Sequence, residues 1–368
     1  MLHYAGKTTR PLSRSEGQWR QPPDAVARQV DGTSASTRRL SLCVLLWLFS
    51  VVLPGATYAQ STGEFWALAD RTYYEPLLSE PRAARILIVF PAWAKQFPHS
   101  QEPGNRFAWQ ITLGREIPLF GWQTERVGMQ PFSKGKWGIG LWTPVAFHMI
   151  EDFKDDSNPI VDTDYRFGTM VKFALGLDDR SWLSARYVPW AHESTHLGDE
   201  YTIFALENPD FERVNVSYEY QEYGVSYARA FDRNSLLTLR HGGIILWGKD
   251  GYYSDHLLGS TTPTLSTSEK NYEPSVGFEY RFPARHGATR QFIGSLDFRN
   301  RLQYAFHRPP GREQRRPTWT MAFGRTGFVA DRRVLRSYFG YFTYGVNPFG
   351  QLREQYPWWA AGIGWVFQ

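Results

Sequence analysis

Long segments of period-two alternation recur through most of this 368-residue chain and constrain its fold more than any other feature. In residues 106–116, Phe107, Trp109, Ile111 and Leu113 point one way, while Arg106, Gln110, Thr112 and Glu116 point the other. Residues 136–149 and 164–175 repeat the pattern, as do later stretches such as Val276, Phe278, Tyr280 and Phe282 against Ser275, Gly277, Glu279 and Arg281. Segments of about ten residues that alternate in this way are strands with a different solvent on each face. A soluble sandwich alternates too, but its strands run to about five or six residues. Here one face mixes Gly and Ala with acids and bases, as a crowded barrel lumen does, and the other is rich in aromatics, as a lipid-facing wall is. Trp109, Trp137, Tyr165, Trp247, Tyr341, Trp358 and Trp359, at strand ends, read as interfacial girdles.

The pattern predicts an all-β transmembrane antiparallel barrel of about twelve strands: 84–93, 106–117, 136–149, 164–177, 181–194, 213–231, 235–247, 274–282, 290–304, 317–327, 333–345 and 357–368. Connections after odd strands are long and those after even strands mostly tight, the rhythm of bacterial barrels with short periplasmic turns and both termini in the periplasm. Residues 118–135 break that rhythm and leave ten or fourteen strands open. The phase slips near Glu222, where a bulge is expected. The last segment aligns Trp359, Ile363, Trp365 and Phe367 on one face and resembles the C-terminal signal read by the barrel assembly machinery, with the aromatic penultimate.

Arg38 and Arg39 precede an apolar run from Leu40 to Pro54, and the small residue Ala59 follows, so residues 1–59 read as a leader and secretory signal cut after Ala59. Residues 60–83 are then expected as a periplasmic segment and residues 84–368 as the barrel. The leader carries seven of the 41 basic and three of the 36 acidic residues, and the single Cys, Cys43. The remainder is close to neutral and free of thiols, which excludes a disulfide scaffold and removes any basic nucleic-acid footprint.

The densest cluster of reactive side chains is His192-Glu193-Ser194-Thr195-His196-Leu197-Gly198-Asp199-Glu200-Tyr201. It contains H-E-x-x-H, but zinc chemistry needs that pattern on a helix, and this segment continues a strand, so no metal site is assigned. A second reading takes His192 and Ser194, two apart and hence on one face, as general base and nucleophile, with Asn208 or Asn215 orienting the histidine. Locally this resembles the His-x-Ser pair of outer-membrane phospholipase A and lipid A deacylase, without the Asn-Gly that follows the serine in the phospholipase. A third reading is structural: His192, His196, Asp199 and Glu200 bond one another and pin a long loop at the barrel rim.

Together, Glu75 to Arg82 (EPLLSEPR), the histidine motif, Asn215 to Glu219, and Tyr344-Gly345 with Asn347-Pro348-Phe349-Gly350-Gln351 resemble the bacterial Domain of Unknown Function 1207 family. The likeness spans about residues 70–368. Ser79 and Glu80 stand where Ala-Asp is usual. The resemblance implies an exported barrel and assigns no activity.

The expected protein is a monomeric Gram-negative outer-membrane barrel in contact with outer-membrane lipid. Arg106, Glu116, Asp164, Arg166, Lys172, Glu219, Glu279, Arg281, Asp297 and Arg299 are placed in its lumen. Its role is read as pore-like or structural, with a lipid hydrolase using Ser194 and His192 as the alternative; no cofactor is named.

Overall fold

The computed structural model describes residues 63–68, 73–95, 104–124, 133–153, 158–198, 214–215, 217–231, 235–247, 252–255, 260–263, 272–283, 290–303, 314–329, 334–349 and 356–367. The expected leader lies outside the described residues, among which every regular element is a strand.

Twelve of these strands form the barrel: β1 (Ile86–Ala94), β2 (Arg106–Gln123), β3 (Trp137–Asp152), β4 (Ile160–Gly176), β5 (Ser181–Leu197), β6 (Ser217–Ala230), β7 (Leu236–Trp247), β8 (Tyr272–Arg281), β9 (Arg290–Gln303), β10 (Gln314–Val329), β11 (Val334–Gly345) and β12 (Trp358–Phe367). Each pairs antiparallel with the next, and β12 closes onto β1 through pairs such as Phe367 with Ile86. Closure removes the free edges that an open sheet would present. β2 and β3 are direct neighbours down to Gln123 opposite Gly138, so no further hairpin stands between them in the barrel. β2 is longer than alternation suggested, because a register shift beyond Pro118 lets the strand continue.

Three of the register shifts fall at prolines: Phe90-Pro91 in β1, Pro118 in β2 and Pro189 in β5. Proline has no N–H for the ladder, and a bulge supplies the extra residue that lets pairing resume beyond it. The slip expected in β6 is therefore in β5. Within β6 the alternation is unbroken: Tyr218, Tyr220, Glu222, Ser226 and Ala228 point inward. Glu219 consequently faces outward, not into the lumen as expected.

The outer wall is apolar. Trp93, Leu113, Phe120, Tyr165, Phe167, Leu239, Val276, Met321, Phe323 and Ile363 are each about half exposed around the barrel, far more apolar surface than a soluble monomer leaves open. Two aromatics expected in the outer girdles face inward instead: Tyr341 and Trp358 are buried.

Among the described residues, four short strands lie outside the twelve of the barrel. Val214–Asn215, just ahead of β6 in the chain, pairs with Tyr252–Asp255, which pairs with Ser260–Pro263, in a small separate sheet. Glu64–Ala67 pairs with Phe120 to Gln123 on β2, covering the length of edge that β1 leaves unpaired. From there the described chain enters the barrel. Residues 73–83, expected within the periplasmic segment 60–83 ahead of the barrel, are packed inside it together with Ala84 and Arg85, the expected start of the first strand: Tyr74, Leu77, Leu78, Ser79, Glu80 and Arg85 are all buried.

Candidate functional site

A chain segment inside a barrel has no ladder to join, so its backbone polar groups need side-chain partners. Arg85 serves the segment from within, its guanidinium donating to the carbonyls of Leu77, Leu78 and Glu80 at 2.8–2.9 Å. The barrel wall supplies the rest. Glu279 accepts from Leu78 N at 2.8 Å, Ser295 Oγ meets both Ser79 N and Ser79 Oγ, and Lys172 donates to the Tyr74 carbonyl.

Charge fixes the segment at two points. At the first, the Glu80 carboxylate is held by Arg186 at 2.6 Å, Arg240 at 2.7 Å and Arg299 at 3.3 Å, from three different strands. Burial by itself would raise the Glu80 carboxyl. The three guanidinium groups outweigh that and hold it well below the usual carboxylate range. Arg186 and Arg240 also stack over the Tyr74 ring, 4.8 and 4.3 Å from its centroid, so the same two side chains grip both residues. At the second point the charges are reversed: Arg82 of the segment pairs with Asp164 at 2.9 Å and Glu193 at 2.8 Å, and donates to the Pro348 carbonyl.

The lumen residues expected from alternation form the shell around these two points. Arg166 pairs with Glu222 and donates to the Arg82 carbonyl, Lys172 pairs with Glu116, Arg281 pairs with Glu75 and Glu279, and Asp297 holds Arg299 at 2.7 Å. Arg106 bonds Asp152, both fully buried. The partners that organise this shell were not foreseen: Glu80, Arg82 and Arg85 lie in a stretch without periodicity, and Arg186, Glu193, Glu222 and Arg240 are legible only as inward positions of their strands. A cavity lined by Glu80, Arg82, Glu193, Tyr220 and Arg301 measures about 30 Å³, room for a water or two.

Gly224 shows how tightly the segment is seated, since a Cβ there would overlap the Tyr74 hydroxyl. Gly224→Val is expected to displace Tyr74 and lower stability by about 1–3 kcal/mol. A shift of the thermal unfolding midpoint measures this, and an unchanged midpoint would mean that the segment yields freely.

On the outer wall, β5 presents His192, Ser194 and His196, while Glu193 and Thr195 between them are buried in the lumen. A zinc-helix reading of H-E-x-x-H is incompatible with this placement, because Glu193 is on the opposite face from both histidines. Ser194 Oγ lies 3.1 Å from His196 Nε2. The His192 ring packs on Phe167 with centroids 5.4 Å apart, opposite Glu219 in the register. The imidazole hydrogen-bonded to Ser194 is thus that of His196. Asn215 pairs through its backbone with Tyr252, while Asp199, Glu200 and Asn208 lie outside the described residues.

No curated protein matches the chain in sequence. Among solved structures, outer membrane phospholipase A from Escherichia coli aligns with a TM-score of 0.41 at 12% identity, over 81% of this chain and 95% of that one. The beta domain of the Bordetella autotransporter BrkA aligns at 0.36 and 10% identity, over 77% and 98%. The Pseudomonas putida toluene transporter TodX aligns at 0.35 and 10%, over 74% and 70%. Residues 61–245, half of the chain and including both the lumen segment and the histidine motif, match the family described as protein of unknown function (DUF1207), and the chain belongs to that family.

Proposed function

We propose that this protein is an outer-membrane barrel of the bacterial envelope, in contact with lipid around its wall and closed to solutes by its own residues 73–85. The apolar outer face supports the membrane placement, since a closed barrel satisfies every strand hydrogen bond internally and can meet hydrocarbon. The observation that carries the closed state is Glu80 in its clasp of three arginines, deep in the lumen and joined to the wall from three sides. In this reading the opposite charges in the lumen act by pairing with one another and with the segment, closing the resting path for ions. The role is accordingly that of a sealed envelope barrel acting as a monomer, with its chemistry or its contacts on the outside.

Planar-bilayer recording tests this. Purified protein is expected to insert without producing conductance steps, and a steady open-channel current from the wild-type protein would overturn the closed reading.

A further inference from the structure

We infer that Ser194 and His196 are the nucleophile and general base of an ester hydrolase site on the outer wall of β5, acting on the acyl ester of a lipid lying against that wall. The inference rests on the membrane reading above for its substrate and on local geometry for its chemistry.

Residues two apart on a strand share a face, so Ser194 and His196 project together to the outside of the barrel. Their 3.1 Å separation is within the reach over which a base takes a proton from a hydroxyl. His196 is exposed, and its ring meets the edge of Tyr165 at 5.8 Å and 71°, which limits its rotation. Tyr165 is also the cross-strand neighbour of Ser194 on β4 and continues into an outward aromatic surface with Phe147 and Phe167. An acyl chain laid on that surface would bring its ester to the level of Ser194. A hydroxyl paired with an imidazole, with an apolar platform beside it, supplies the nucleophile, the base and the lipid-facing surface of such an esterase.

The step is an acyl transfer. Ser194 Oγ attacks the ester carbonyl carbon while its proton passes to His196 Nε2. The bond from that carbon to the alcohol oxygen breaks, and the proton returns to the departing alkoxide, leaving the acyl group on Ser194. Water then attacks the same carbon and gives a proton to His196. The bond to Oγ breaks, the fatty acid leaves, and the proton restores the serine.

Two measurements on the detergent-purified full chain test the site. The first is covalent labelling by a fluorophosphonate probe, with the modified residue located by mass spectrometry. Label on Ser194, lost in Ser194→Ala, is expected. A general base contributes about 100-fold or more, so His196→Gln is expected to slow labelling by at least that factor. Its effect should exceed that of His192→Gln at least tenfold; the reverse order would overturn the assignment of the base. Folding of each variant is checked by heat-modifiable migration in gels, which substitutions on the outer wall are expected to preserve. The second measurement is fatty-acid release from phosphatidylethanolamine–phosphatidylglycerol vesicles. Release that requires Ser194 supports the lipid substrate. Labelling of Ser194 without any release would overturn the substrate while sparing the dyad, and a wild-type chain that neither labels nor hydrolyses would overturn the whole inference. Neither outcome bears on the sealed lumen, which the conductance measurement tests separately.

Discussion

Glu80→Gln is expected to unseal the barrel and to cost about 3–5 kcal/mol, the scale on which removing one partner of a buried ion pair acts. Arg186 would keep Glu222, and Arg299 would keep Asp297. Arg240 would fare worst, left with the Glu75 carbonyl and the face of Tyr74. The lumen would gain net positive charge around a segment that had lost its central anchor. Bilayer recordings should then show conductance bursts with anion preference, alongside a lowered unfolding midpoint. A variant as silent and as stable as the wild type would mean that Glu80 is incidental to the seal. Acid should act in the same direction as the substitution. The folded value of Glu80 lies below its unfolded value of about 4.3, so its stabilisation is complete above that pH and fades as the pH falls through the folded value. The seal should therefore persist in mild acid and weaken only under strong acid.

Trp142→Ala is the second large effect, again about 3–5 kcal/mol, but of different origin. Trp142 is fully buried on the lumen side of β3, with Trp66 and Tyr73 each 5.3 Å from its ring and the Lys172 ammonium 5.1 Å from it. Trp66 belongs to the short strand on β2, and its indole donates to the Tyr73 hydroxyl, which in turn donates to Gln123. Removing the Trp142 ring would leave a cavity where the chain turns into the lumen and loosen both the short strand and Tyr73. Thermal unfolding would show the cost and tryptophan fluorescence the solvation of Trp66. A loss below about 1 kcal/mol would indicate that the charged clasps hold the segment without the aromatic cluster.

The two charged clasps and the aromatic cluster together explain why a polar segment is stable within the barrel. Unpaired, Glu80 or Arg82 would each carry a prohibitive desolvation cost. Paired with groups from several strands, they bind the segment in one position, because the partners are separated around the wall and no shifted register of the segment meets all of them.

The sequence by itself determined most of the strands and most of their faces, while their count was settled by the direct pairing of β2 with β3. Period two is a local property: Phe107 and Trp109 must leave the lumen whenever Arg106 and Gln110 enter it, whatever the rest of the chain does. Hence Arg166, Lys172, Glu279, Arg281, Asp297 and Arg299 were correctly placed in the lumen. Only the tertiary structure decided what depends on contacts between distant residues. Residues 73–85 have no period, so nothing local distinguishes a segment outside the barrel from one inside it; partners from about eighty to more than two hundred residues away on the wall make the difference. Glu219 was misplaced because the bulge belongs to Pro189 on the neighbouring strand, and pairing, not composition, assigns it. The choice between His192 and His196 is likewise a tertiary one. Both lie two residues from Ser194 on the same face, equivalent in spacing, and packing of one ring on Phe167 and the other beside Tyr165 separates them.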